Sequence, residues 1–147
     1  MSTTVVSPLS RRVDLGLLIL RVVVGIIFVA HGWQKVSGGL GNVGGMFGQM
    51  GVPMPGVTGP LVALLELLGG LALIFGLLTR LAALGLAIDM LGAIALVHFK
   101  NGFFMQNGGY EFALSLLGAC LALMFTGAGA YSLDAAIAGR RRPARNS

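Results

Sequence analysis

Four stretches of the chain are almost uninterrupted in apolar side chains: residues 15–34, 60–78, 80–99 and 110–126. Each approaches the roughly 17 to 25 residues with which an α-helix crosses a bilayer core of about 30 Å. The pattern predicts an all-α fold, a polytopic membrane four-helix bundle. Two arginines precede the first stretch, as in a signal peptide, but Arg21 interrupts the apolar run and no A-x-A site follows, so it reads as a retained span.

The connections divide the chain further. Leu78, Thr79 and Arg80 leave room only for a tight hairpin, which makes the second and third helices antiparallel neighbours. Residues 37–59 hold nine glycines and two prolines, with Met46, Phe47 and Met50 among them. Two readings stand there: a short apolar helix in the interface or dipping over the bundle, and a flexible loop with a few apolar anchors. After the fourth span Gly127 and Gly129 stop the helix, and Ser132 with Asp134 offers an N-cap for a short helix to Ala138. The chain thus divides into an N-terminal segment (1–14), a four-span domain (15–131), and a short helix with a basic tail (132–147).

Composition agrees with the pattern. Apolar residues make up 56% and charged residues 10% of the 147, far from the balance of a soluble domain. The net charge of +5 does not point to nucleic acid, because four of the ten basic residues, Arg140, Arg141, Arg142 and Arg145, sit in the tail with no folded basic face around them. Anionic lipid headgroups are the expected partner of that tail. Four spans put both termini on one side. That side carries Arg11, Arg12, Arg80 and the four tail arginines, against Lys35 and Lys100 on the other, so the N and C termini are expected to be cytoplasmic. Trp33 and Tyr110 then fall at the outer interface and Tyr131 near the inner one.

Against this background the ionisable residues stand out. Of five acids, Glu66, Asp89 and Glu111 lie in or at the ends of spans, where a charge near the bilayer centre costs about 2.5 to 3.5 kcal/mol unless it faces a protein interior or is paired. At about 100° per residue, Arg21, Gly25, Phe28 and Lys35 share one side of the first helix, and Glu66 lies with Gly69, Gly70 and Leu73 in the second. Asp89 stands over Gly85 and Gly92, and Glu111 over Ser115 and Gly118. Polar and small residues therefore keep company, as at membrane helix interfaces.

Depth separates two layers. His31, Lys35, His98, Lys100 and Glu111 belong to the outer helix ends, with Glu66 about 9 Å in from Pro60. Arg21 and Asp89 fall in the inner half and are expected to form a structural ion pair. The outer ring reads either as a proton-relay or ligand pocket, with Glu66, His31, His98 and Glu111 as acid, base or hydrogen-bond partners and Lys35, Lys100 and Asn107 as ligand contacts, or as interhelical bonding alone. The ligand in the first case is quinone-like or a small anion. On an ideal helix His98 lies about 180° from Asp89, which sets the two apart. No H-x-x-E or E-x-x-H spacing supports a metal. Lone Cys120 cannot perform dithiol exchange and reads as an apolar filler. Nothing matches a phosphate loop, dinucleotide fingerprint or nucleophilic triad.

The run LRVVVGIIFVAHGWQKV, then GVPMP before LLELLGGLALIFGLLTRLAAL, then AIDMLGAIALVHFKNGFF, then NGGYEFALSLLGACLALMFTGAGAYSLD, resembles the DoxX family of small four-span bacterial membrane proteins, over about residues 14–135. The resemblance implies a multi-pass protein of the bacterial inner membrane carrying an oxidoreductase label. Relatives are linked to quinone-coupled thiosulfate oxidation and to complexes with superoxide dismutase and a sulfurtransferase. It carries over Arg21, His31, Gly32, Lys35, Glu66, Gly70, Arg80, Asp89, His98, Gly109, Glu111, Ser132 and Asp134. Two functions follow as expectations: an enzyme subunit coupling a periplasmic reductant, or thiol and sulfur chemistry in oxidative stress, to membrane quinone, and a non-catalytic anchor for soluble detoxifying enzymes. Self-association into a homo-oligomer is plausible for four short helices that bury several charges.

Overall fold

The computed structural model describes residues 7–141. Among them are six α-helices and no strand: α1 (Pro8–Ser37), α2 (Leu40–Gln49), α3 (Pro55–Phe75), α4 (Thr79–Ala93), α5 (Glu111–Thr126) and α6 (Leu133–Arg141). A π-helical turn, Ile94–His98, and a 3₁₀ turn, Phe99–Asn101, continue α4. By length and hydropathy α1, α3 and α4 with its continuation can cross a membrane. At 16 residues, α5 is a shorter apolar helix, about 24 Å long at 1.5 Å per residue. From Arg142 onward the basic tail, to which the anionic-lipid expectation attaches, lies outside the described residues.

Capping bonds, rather than hydropathy alone, mark the starts of α1, α4 and α6. Ser7 accepts from the Ser10 N–H at 3.2 Å and Pro8 occupies the first turn, so α1 starts well before the apolar run. The start of α3 at Pro55 likewise precedes Pro60. Gly76 ends α3 with φ +67°, a left-handed conformation natural to glycine. Three residues later, at Thr79, α4 begins, and its first amides are capped from across the chain: Asp134 accepts from Leu78 N at 2.7 Å and from Thr79 N at 3.0 Å. Ser132 accepts from Ala135 N at 3.1 Å, the N-cap bond of α6.

Packing groups the helices into two close pairs. In the first, α1 and α3 touch backbone to backbone: a Cβ added at Gly70 would lie 2.8 Å from Gly25 O, and one at Gly32 would lie 2.7 Å from Leu67 Cα. Only glycine permits that approach. In the second, Leu86, Ala87 and Met90 of α4 pack with Leu116, Leu117, Cys120 and Leu123 of α5 in one buried cluster. Within segment 37–59, Leu40–Gln49 folds as the helix α2, which buries Val43 and Gly44 against the start of α3, where a Cβ on Gly59 would lie 2.9 Å from Gly44 N.

Candidate functional site

Between the two pairs, with α2 over one end, lies a cavity of about 460 Å³. Its walls are apolar, from Phe28, Leu65, Phe112 and Leu116 among others, and its ionisable lining comes from Lys35 and His31 on α1, Glu66 on α3, Asp89 on α4 and His98 on the π turn.

The centre of the polar lining is a three-residue cluster. Lys35 Nζ lies 2.5 Å from Glu66 Oε2, and the two side chains are only 18% and 6% exposed. Asp89 of α4 lines the same cavity. Its Oδ2 is buried and has no hydrogen-bond partner. One ammonium thus pairs with Glu66, and a second acid, Asp89, lies in the same lining with an oxygen left without a partner.

The expected pair of Arg21 with Asp89 does not form. Gly76 lies against the Arg21 guanidinium, and α4 starts just beyond Gly76, so Arg21 sits level with the start of α4. Asp89 is ten residues further along α4, about 15 Å up at 1.5 Å per residue. Because α1 begins at Pro8 and extends past the level of the hairpin, Arg21 rather than residue 15 stands level with the start of α4. Arg21 is fully buried, and its Nη2 donates to Tyr131 O at 2.6 Å, so it fastens the segment leading to α6.

His98 reaches the cavity although an ideal helix would turn it away. The π turn closes i→i+5 rather than i→i+4, which takes up part of the rotation between residues 89 and 98. Its Nδ1 is 2.9 Å from Gly108 O. A carbonyl only accepts, so Nδ1 carries the proton and Nε2 of the neutral ring is the acceptor. His31 is exposed at the mouth of the cavity, its ring 6.1 Å from that of Phe112.

Three expected site residues are not part of this lining. Glu111 stands at the start of α5, where its Oε1 accepts from Met105 N at 3.0 Å and fastens the preceding loop. Lys100 and Asn107 lie on exposed 3₁₀ turns of that loop. The loop crosses itself at Gly109, where a Cβ would run into Gly102 O and Phe103, and Tyr110 N donates back to Gly102 O at 3.0 Å. Sequence reasoning also missed Met46, Met50, Met90 and Met105 as wall residues. The i, i+4 spacing of Met46 and Met50 was the available signal. Among the described residues no three His, Cys, Asp or Glu side chains converge as metal ligands.

Residues 16–99 match the DoxX family, and residues 58–147 match the family described as TQO small subunit DoxD. Inner membrane protein YqjF of Escherichia coli is 42% identical over 127 residues, covering 82% of this chain and 91% of the relative. The protein of Bacillus subtilis named "Putative oxidoreductase CatD" is 36% identical, covering 86% and 90%. An uncharacterized membrane protein of Mycobacterium tuberculosis, Rv3486, is 34% identical, covering 78% and 77%. No solved structure matches the chain. With its family match, its relatives and its apolar helices, the chain belongs to the DoxX family of multi-pass, all-helical inner-membrane proteins.

Proposed function

We propose that this chain is the membrane subunit of an oxidoreductase, that its cavity binds a lipid-soluble quinone, and that Glu66 and Asp89 handle the protons of the reaction. The observation that carries the reading is Asp89 Oδ2, an unpartnered buried oxygen in the lining of a largely apolar cavity. A buried polar atom without a partner is costly unless a ligand or water meets it. Apolar walls with a few convergent polar groups are the usual makeup of a small-molecule site. The oxidoreductase name of CatD and the match to a family described as TQO small subunit DoxD support the same direction.

A bound quinone supplies two-electron, two-proton chemistry. The chain's own residues then have separable tasks. Phe28, Leu65 and Phe112 hold an aromatic head and exclude water. A proton can be taken up and returned at the carboxyl oxygens of Glu66 and Asp89, while Lys35 offsets negative charge beside them. His98 Nε2, oriented by Gly108 O, accepts a hydrogen bond from a hydroxyl. His31 at the mouth exchanges protons with the aqueous side. Electrons come from a soluble partner that oxidises a thiol or sulfur species, docked on the exposed turns carrying Lys100 and Asn107. The termini are cytoplasmic in this reading, by the balance of seven arginines against two lysines, so the partner is periplasmic.

Purification in native lipid discs followed by extraction and mass spectrometry tests the proposal. The expected result is about one quinone per chain in the unmodified protein and a loss of at least tenfold in Glu66→Gln. A protein that carries no quinone yet retains soluble partners would reject the enzyme reading in favour of an anchor.

A further inference from the structure

The seam between α3 and α4 is closed near the hairpin and open above it. Close to the hairpin Gly69 packs on Leu86 and Gly85 on Leu65: added Cβ atoms would lie 3.1 Å from Leu86 Cγ and 3.0 Å from Leu65 Cδ1. Two turns further along α4, at Gly92, an added Cβ meets nothing within 4 Å. Gly92 belongs to the cavity wall, as do Leu61, Ile88 and Leu96. These three side chains are 61%, 61% and 45% exposed, and on a helix that crosses a bilayer such exposure is to hydrocarbon. The cavity therefore has a side opening in the lipid-facing surface, apart from the mouth at His31.

We infer that the slot beside Gly92 seats the hydrocarbon tail of the ligand and is the path by which that ligand enters from the bilayer. The inference rests on the quinone reading of the same cavity and adds to it the class of quinone, long-tailed and membrane-partitioned, and its direction of approach. Size supports it. A cavity of about 460 Å³ lies toward the small end of ligand sites, which run from roughly 300 to 1,000 Å³. It can enclose a ring, and a long tail must leave it. Continuity supports it too, since Leu61, Ile88, Gly92 and Leu96 line the same cavity as Glu66 and Asp89 and contribute apolar side chains to it. Lipid tails are as apolar as leucine, so the slot adds no hydrophobic driving force. Its contribution is room, and filling the room should act sterically.

Gly92→Phe fills the slot, and with no neighbour within 4 Å of the new Cβ it leaves the packing of α4 intact; circular dichroism and melting verify this, with Gly92→Ala as control. The full chain in lipid discs is titrated with two quinones of the same head, one with a ten-carbon tail and one without. The expected result is at least a tenfold weakening or slowing for the tailed quinone in Gly92→Phe, and less than a twofold change for the tailless one. Equal effects on both, or none on either, overturn the tail slot while leaving the quinone reading in place. If neither quinone binds the unmodified chain, the quinone reading falls and the ligand tail with it. Quenching of Ile88→Trp in a Trp33→Phe background by brominated phosphatidylcholine, abolished by Gly92→Phe, would then assign the slot to a phospholipid chain and likewise overturn the inference.

Discussion

Lys35→Met isolates the cluster at the heart of the cavity. It removes the cation of the one ion pair among the described residues and leaves Glu66, which is 5% exposed, beside Asp89 with no opposing charge. Removing one partner of a buried pair costs about 3 to 5 kcal/mol. Here Lys35 keeps 18% of its side chain exposed and the stranded acid can take up a proton, so the expected cost is about 2 to 3 kcal/mol. Glu66→Gln keeps an acceptor for Lys35 and should cost about 1 kcal/mol. The double variant Lys35→Met with Glu66→Leu removes both charges and should lie within about 1 kcal/mol of the unmodified protein. Reversible unfolding by sodium dodecyl sulfate in mixed micelles, followed by circular dichroism, measures all three together with the single Glu66→Leu, which completes the cycle. A single Lys35→Met cost below about 1 kcal/mol, or a double variant whose cost is the sum of the singles, would refute the buried cluster.

Gly32→Val should prevent the close contact of α1 with Leu67 and lower the unfolding midpoint sharply, whereas Gly16→Val, whose Cβ meets nothing within 4 Å, should be tolerated; the same unfolding assay compares them. Asp134→Ala removes the caps on Leu78 N and Thr79 N and should cost about 1 to 2 kcal/mol, with faster hydrogen exchange at both amides and less loss in Asp134→Asn. Deleting Ala95 should convert the π turn to α-helix and rotate His98 by about 100°, breaking its bond to Gly108 O; ligand content should fall while helix content stays unchanged.

The helical class and the four apolar runs were legible because lipid demands long apolar segments with internally satisfied backbones. The hairpin at Leu78 and the cap at Ser132 were legible because turn and cap chemistry is local; Asp134, expected beside Ser132 at the start of the last helix, instead caps Leu78 N and Thr79 N of α4 from far along the chain. Helix starts were not, since Ser7 and Pro55 begin helices in stretches that hydropathy does not mark. Those extensions shift depth, and depth decided partners: Arg21 went to Tyr131 O rather than to Asp89. His98 was set apart from Asp89 by assuming 100° per residue throughout, and a π turn has no evident signature in the sequence. Glu111 was placed correctly on α5, but its first-turn carboxylate serves the Met105 amide of its own loop. The 37–59 segment folds as α2 despite its glycines because Val43 and Gly44 find a partner surface on α3, a tertiary gain that local propensity does not report.

Photo-crosslinking tests the central claim most directly. The full chain in lipid discs is irradiated with a tailed azidoquinone, digested, and the labelled residues are mapped by mass spectrometry. The account predicts label on the cavity walls at Leu65, Gly92 and Phe112, displaced by unlabelled quinone and lost in Glu66→Gln. Label spread over lipid-facing residues, or confined to the crevice of Arg80 and Gly127 at the other end of α4, and indifferent to Glu66→Gln, would contradict it.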